Sequence, residues 1–225
     1  MSAGEKAPLS FDRQPMKVYR AGATIEAAPG ALRHAKLILS GWACREMMLP
    51  NGRRQLLSVL LPGDLIGNCS AESALQLADV VAIDSVTVAS IEPLMRAVRK
   101  DADAFPRIVS GLAELRLSEE RRLLDHMVRL GSEPAAQRMA DFLLELSQRC
   151  RAIGFVTEDS FLMPMTQEML GDALGLSLVH VNRVLNRLRQ ANLIKLHGGV
   201  LKIQDAIGLA SFAGLASADE RQAWA

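Results

Sequence analysis

The chain has 225 residues, of which 49% are apolar and 23% charged, and its formal net charge is +1. Such a length and apolar content suffice for one large or two small domains with a sizeable core, and the ordinary charge level excludes disorder throughout. A near-neutral balance also means that any polyanion must be met by a local patch, not by the field of the whole molecule.

Cys44, Cys69 and Cys150 stand far apart with no CxxC spacing. An odd, scattered set points to a reducing cytoplasm, not to a disulfide framework. The first residues, MSAGEKAPLSFDRQP, lack the apolar core of a signal peptide. No apolar run approaches the ~20 residues of a membrane helix. The expectation is a soluble, cytoplasmic protein with no membrane partner.

From Met16 to about Ile91 the texture is β: short apolar runs broken by turn signals at 21–22, 29–30, 40–41, 51–52 and 62–63. That spacing predicts an all-β barrel or sandwich. Asn51-Gly52 is the sharpest local signal. Both central residues of a type I′ turn need φ > 0, which Asn and Gly tolerate, so REMML-PNGRR-QLLSVLL reads as a hairpin.

After Pro93 the texture changes, and Ala104 to Leu130 is predicted helical, with Pro106 in the first turn where a missing N–H does little harm. Its length is roughly 40 Å at ~1.5 Å per residue. Ile108, Leu112, Leu115, Leu123, Met127 and Leu130 form an apolar stripe that Val109, Leu117, Leu124 and Val128 widen. This is more apolar surface than one neighbour covers. Two readings stand: a core helix under the barrel, or a helix that packs on the barrel and on its twin in a dimer. Glu119 and Arg122 interrupt the stripe, so no heptad register is secure.

Gly131-Ser132-Glu133-Pro134 reads as a helix stop and a new start, followed by a helix from about Pro134 to Arg149 with Met139, Phe142, Leu143 and Leu146 on one face. Next comes TQEMLGDALGLSLVHVNRVLNRLRQANLIKL, residues 166–196. Thr166 is suited to cap a helix ending at Leu174, Gly175 to stop it, and Ser177 to cap a second helix to about Gln190. Two helices joined by a short Gly-containing turn are the helix-turn-helix signature. Leu170, Ala173 and Leu174 face inward from the first helix; Val181, Val184, Leu185 and Leu188 do so from the second. Stepping ~100° per residue puts Val179, Arg183, Asn186 and Gln190 opposite the core, flanked by His180, Asn182 and Arg187. A hairpin, IKL-HGG-VLKI, completes a winged unit, and a short helix is expected from Asp205.

This surface suits DNA. Arg183 can donate two bonds to guanine, Asn182 can pair with adenine, and Leu178 or Val179 can press on a thymine methyl. Arg187, Arg189, Lys195 and Lys202 suit phosphates, as do the backbone N–H groups after Ser177. Between Ala173 and Gln204 stand five Lys or Arg residues and no Asp or Glu. The competing reading is a three-helix packing domain with a solvated polar face, used as a protein-interaction module; His180 alone is weak support for base reading. A metal-dependent enzyme on the barrel would need clustered ligands, whereas the chain's four His are scattered and only His34 falls in the barrel.

The segments LSGWACREMMLPNGRRQLLSVLLPGDLIG at 39–67, DSVTVASIE at 84–92 and LMPMTQEMLGDALGLSLVHVNRVLNRLRQANLIKLHGGVLKI at 162–203 together resemble the family of the cyclic-AMP receptor protein and the fumarate-nitrate regulator (Crp/Fnr). The resemblance covers roughly residues 12–208 and implies a non-enzymatic, sequence-specific transcription regulator. The implied fold is α+β: an N-terminal double-stranded β-helix (a cyclic-nucleotide-binding-like jelly roll), a long dimerisation helix and a C-terminal winged helix-turn-helix. Residues 12–103 would be the β-barrel sensor domain, 104–130 the dimerisation helix, 131–208 the DNA-binding domain and 209–225 a tail. The implied partners are double-stranded DNA at a near-palindromic promoter site, a second copy through 104–130, and RNA polymerase. Thr166 and Gln167 match backbone-contacting positions; Val179, Asn182 and Arg183 match base-reading ones.

Two departures stand out. Many family members carry Glu or Arg where this chain has Leu178 and Val179, so the half-site should differ there from the commonest family motif. The effector also differs. Cyclic-nucleotide binders hold ribose and phosphate with a Gly-Glu-Leu turn and an Arg-Ser pair; here the turn reads Gly67-Asn68-Cys69, the arginine position falls near Gln76, and no Lys or Arg lies between Arg54 and Arg96. A buried phosphate without a cation forfeits its strongest bonds, roughly 1.5–3 kcal/mol each. An iron–sulfur cluster normally takes four cysteines, and none precedes Cys44. Haem ligation has only Cys69 near the pocket turn, which reads as a small buried residue before a ligand or redox switch. No conventional cofactor is expected, and the activating signal is left open.

Overall fold

The computed structural model describes residues 15–28, 30–32, 35–67 and 74–215. His34, Asn68 and Cys69 lie outside the described residues. The chain divides into two compact units, residues 1–53 with 57–123 and residues 124–225 with 54–56.

Among the described residues, the N-terminal half holds ten strands: β1 (Met16–Tyr19), β2 (Thr24–Glu26), β3 (Gly30–Leu32), β4 (Lys36–Ser40), β5 (Ala43–Met48), β6 (Arg54–Leu60), β7 (Leu65–Ile66), β8 (Ala74–Gln76), β9 (Asp79–Ala82) and β10 (Val86–Ser90). They form sheets of order β1-β10-β4-β7 and β2-β9-β5-β6, with β3 and β8 as a separate pair. The pairs nest: β5 neighbours β6, and outward from them come β4 with β7, β3 with β8, β2 with β9 and β1 with β10. This is one long hairpin wound into a jelly roll, as expected. Alternation along the strands turns Tyr19, Ile25, Ile38, Leu60, Ile66, Val80, Val86 and Val88 into a common core.

The hairpin tip differs from the expected type I′ turn. Gly52 has φ +77°, but Asn51 is not among the positive-φ residues. The Gly52 N–H donates to Leu49 O at 2.9 Å and the Leu49 N–H to Arg53 O at 2.8 Å. The loop is therefore Pro50-Asn51-Gly52, three residues long. Pro50 presets φ for the first central position of a type I turn, and only Gly52 must be left-handed. At Gly41 (φ +81°) glycine is required twice over, because a Cβ would lie 2.2 Å from Ser85 O.

A helix absent from the sequence reading, α1 (Glu92–Lys100), follows the barrel, with Pro93 in its first turn and Met95 and Val98 buried. The long helix α2 spans Pro106–Ser132, two residues past its expected end at Leu130. Its start packs Ile108 and Leu112, with Phe105, onto the cluster of Ala35, Ile91, Met95 and Val98. Beyond Leu112 its apolar side chains stay largely uncovered in the single chain. Leu117 is 66% exposed, Leu124 56%, Met127 68% and Val128 59%. The division between the two units falls inside this helix, between Leu123 and Leu124.

In the second unit α3 (Ala135–Ala152) is the central helix, burying Met139, Phe142, Leu143, Leu144 and Leu146. Around it pack α4 (Gln167–Leu174), α5 (Leu178–Gln190) and α6 (Ala206–Ala213). A three-stranded sheet of order β11-β13-β12 completes the unit, from β11 (Ser160–Leu162), β12 (Ile194–His197) and β13 (Val200–Ile203). Among the described residues, no helix is long and apolar enough to cross a membrane.

Candidate nucleic-acid interface

Thr166 Oγ1 accepts from the Met169 N–H at 3.2 Å, and Ser177 Oγ from the His180 N–H at 3.3 Å. Each hydroxyl satisfies one orphan donor of a first helical turn, worth ~1 kcal/mol. Between the helices Gly175 takes the left-handed conformation, φ +64°. A second glycine matters as much. A Cβ on Gly171 would lie 2.7 Å from Leu176 O, so the small residue lets the turn fold back onto α4. The Leu176 N–H closes that contact by donating to Gly171 O at 3.0 Å.

α5 is seated by Val181, Val184, Leu185 and Leu188, all buried. At ~1.5–3 kcal/mol per buried aliphatic side chain this anchorage is ample for a 13-residue helix. The opposite face is open. Leu178, Val179, His180, Asn182, Arg183, Asn186, Arg187 and Gln190 are exposed, Val179 at 68%. Val179, Asn182 and Arg183 thus stand together on the outer ridge of the second helix of the pair. Thr166 is exposed and Gln167 half-buried at the start of α4.

Two of the cations on α5 are engaged within the chain. The Arg187 guanidinium lies 5.0 Å above the Phe212 ring of α6, and Arg189 Nη1 donates to Asn186 Oδ1 at 2.9 Å. Phe212 was not part of the sequence reading, which had no way to place α6 beside α5.

The wing brings a further arrangement. His197 is the last residue of β12, not part of the loop, which is Gly198-Gly199 alone, with φ +58° and +77°. That two-residue type I′ turn fixes every cross-strand pair, including Lys195 opposite Lys202. Like charges directly opposite on a sheet repel, so the pair is relieved by an anion placed between the ammonium groups. This pairing was legible in the sequence once the loop was set at two residues. Lys202 also pairs with Ser160 of the unforeseen strand β11.

Cys44 and Cys150 are both fully buried. Burial pushes the Cys150 thiol up to about 11 against the opposing influence of Arg149, so it holds its proton at neutral pH.

An exposed polar ridge on the second of two capped helices, flanked by a basic wing, defines a winged helix-turn-helix of the DNA-binding kind. Residues 137–212 match the Crp-like helix-turn-helix domain family. The chain is 30% identical over 171 residues to the nitrogen fixation regulation protein FixK of Bradyrhizobium diazoefficiens, covering 75% of this chain and 70% of that one. It is 28% identical over 217 residues to the transcriptional activator protein FnrA of Stutzerimonas stutzeri, covering 92% and 88%. The solved structure of FixK2 from Bradyrhizobium japonicum superposes with a TM-score of 0.77 at 26% identity, covering 88% of this chain and 96% of that chain. The chain belongs to the Crp/Fnr family of DNA-binding transcription regulators.

Proposed function

We propose that the protein acts as a homodimer on a near-palindromic promoter site, with one α5 in each of two successive major grooves. The observation that carries this is the contrast on α5, four buried aliphatic residues beneath an exposed Val179–Asn182–Arg183 ridge. The uncovered face of α2, with Leu117, Leu124, Met127 and Val128, supports pairing with a second copy. Thr166, Gln167, Lys195 and Lys202 are assigned to the sugar-phosphate backbone, together with the N–H groups at the start of α5. Arg183 is assigned to guanine and Asn182 to adenine, and Leu178 and Val179 make the half-site depart from the usual family motif. RNA polymerase is the further partner expected of a promoter-bound regulator.

The signal is assigned to something other than conventional cyclic-AMP binding. The segment from Gln55 to Met95 contains no Lys or Arg. Two barrel-facing arginines of the first unit have internal partners: Arg45 with Glu119 at 2.5 Å, and Arg122 with Asp64 at 3.2 Å. Arg45 also donates to Ser58 Oγ at 3.3 Å and Leu65 O at 3.1 Å.

Selection of bound duplexes from random DNA, with and without cell extract, tests the reading. Enrichment of two inverted half-sites, with binding that weakens steeply with salt, is expected. An unenriched pool would sink it, and the usual family half-site emerging unchanged would remove the assignment of Leu178 and Val179. Micromolar cyclic-AMP affinity by titration calorimetry would overturn the assignment of the signal.

A further inference from the structure

The sequence leads one to expect leucines beneath α2, yet its one buried residue is Arg129, 1% exposed. Each arm of the guanidinium is taken. Nε donates to Asp141 Oδ2 at 2.7 Å, Nη2 to Glu145 Oε2 at 2.6 Å, and Nη1 to His126 Nδ1 at 3.3 Å. Its Cζ lies over the Phe142 ring, 5.5 Å from the centroid. Burial works against the charge, but Glu145 and Asp141 outweigh it and hold the guanidinium above the ordinary arginine value. Asp141, Phe142 and Glu145 all belong to α3, so one side chain clamps the last two turns of α2 to the central helix of the DNA-reading unit.

A second arginine carries the connection onward. Arg138 of α3 donates through Nη2 to Glu133 O at the α2–α3 corner, at 3.0 Å, and through Nη1 to Leu174 O at the end of α4, at 2.6 Å. A Cβ on Gly175, in the turn before α5, would lie 3.6 Å from Arg138 Nη1 and 3.9 Å from Leu130 Cδ2 of α2. Two directional hydrogen bonds of Arg138 thus join the α2–α3 corner to the end of α4, next to the turn that leads into α5.

Stability alone does not explain this choice. A buried ion cluster gains little over apolar side chains of the same volume, and often less. What a guanidinium fork adds is direction, because two carboxylates and a ring nitrogen fix its plane as well as its position. The same two turns of α2 present Leu124, Met127 and Val128 to solvent.

We infer that Arg129 is a positioning residue: its clamp on α3 sets the angle at which α2 leaves the DNA-reading unit, and so the spacing between half-sites that the dimer accepts. This rests on the proposed pairing of two copies through α2. One added base pair moves the second half-site by about 3.4 Å and turns it around the duplex, which a rigid exit angle cannot follow.

The test is binding of the full chain to duplexes whose half-sites are separated by graded spacers, beside a duplex with a single half-site. The wild type should favour one spacer over its neighbours by about tenfold, a modest misfit at a protein–DNA interface. Arg129→Met with Asp141→Asn removes the two fully buried charges at nearly unchanged volume. It should dimerise and hold the single half-site as the wild type does, but separate the spacers by less than about threefold. Arg129→Lys, which keeps the charge and loses the fork, should fall between the two. A folded double variant that keeps the wild-type spacer preference overturns the inference. If the double variant fails to fold, Glu145→Gln decides: unchanged spacer preference overturns the inference, weakened preference at unchanged half-site affinity supports it. A wild type indifferent to spacing would sink the paired-site reading itself, and this inference with it.

Discussion

The two helices that matter most for this protein use their apolar residues in opposite ways. α5 spends its stripe inside its own unit: Val181, Val184, Leu185 and Leu188 are all buried and the polar side is free. α2 is twice as long and buries a single side chain, a charged one, while Leu117, Leu124, Met127 and Val128 face outward. A periodic pattern therefore shows an apolar surface, but not whether its own chain covers it. On α5 the chain itself supplies the cover; on α2 it does not, and the proposed cover is a second copy.

The sharpest way to break this comparison is at α2. Leu117→Glu should weaken dimerisation by at least about a hundredfold, since two aliphatic side chains worth ~1.5–3 kcal/mol each are lost across a twofold interface. Light scattering across a dilution series measures it; an undiminished dimer would mean that the helix is not the seam. The same kind of truncation on α5 should act within one chain. Leu185→Ala should cost about 2–5 kcal/mol of unfolding free energy in denaturant titration, whatever the protein concentration. Arg183→Ala, on the outer face, should leave stability alone, cost about 1–3 kcal/mol on the selected duplex and relax preference at one base position. Lys202→Ala should instead weaken all sequences alike and lower the salt slope by about 1. Equal site preference in the Arg183→Ala protein would move base reading elsewhere on α5. Thr166→Ala removes the cap of α4 and should cost ~1 kcal/mol by thermal melting.

The smallest expected effect is set by pH. Burial first, and then Arg129, hold the His126 pKa below its ordinary 6.5, with Arg138 adding to this and Glu145 opposing it. Folded His126 therefore stays neutral where the unfolded chain takes up a proton. Its contribution is intact above 6.5 and stability declines as pH falls below that value. The wild type should lose more melting temperature than His126→Gln between about pH 7.5 and about pH 5.5. Parallel curves for the two proteins would show that His126 does not titrate differently on folding.

The helix-turn-helix was legible because caps, a stop glycine and a 3.6-residue period all agree between Thr166 and Gln190. The barrel was legible through its turns, although the tip moved by one residue once Pro50 claimed the first central position. α1 escaped because Pro93 reads as a boundary, whereas proline in a first turn costs a helix nothing. β11 escaped because three residues carry no alternation, and its partner β13 lies far along the chain. Arg129 escaped for a deeper reason. A charged residue beside an apolar stripe looks like the start of a solvated face, and only the placement of Asp141 and Glu145 on another helix turns it into a core residue.

The nested strand pairing of the first unit has a consequence for how the chain acquires its shape. Met16 must find Ala89, while Leu49 and Arg53 close across three residues. The entropy of joining two distant points grows with the chain between them, but each inner pair that forms shortens the path left for the next. Closure should therefore spread outward like a zip fastener from Pro50-Asn51-Gly52. The strand that leaves the ribosome earliest waits longest for its neighbour, an exposed ribbon until residue 90 has emerged.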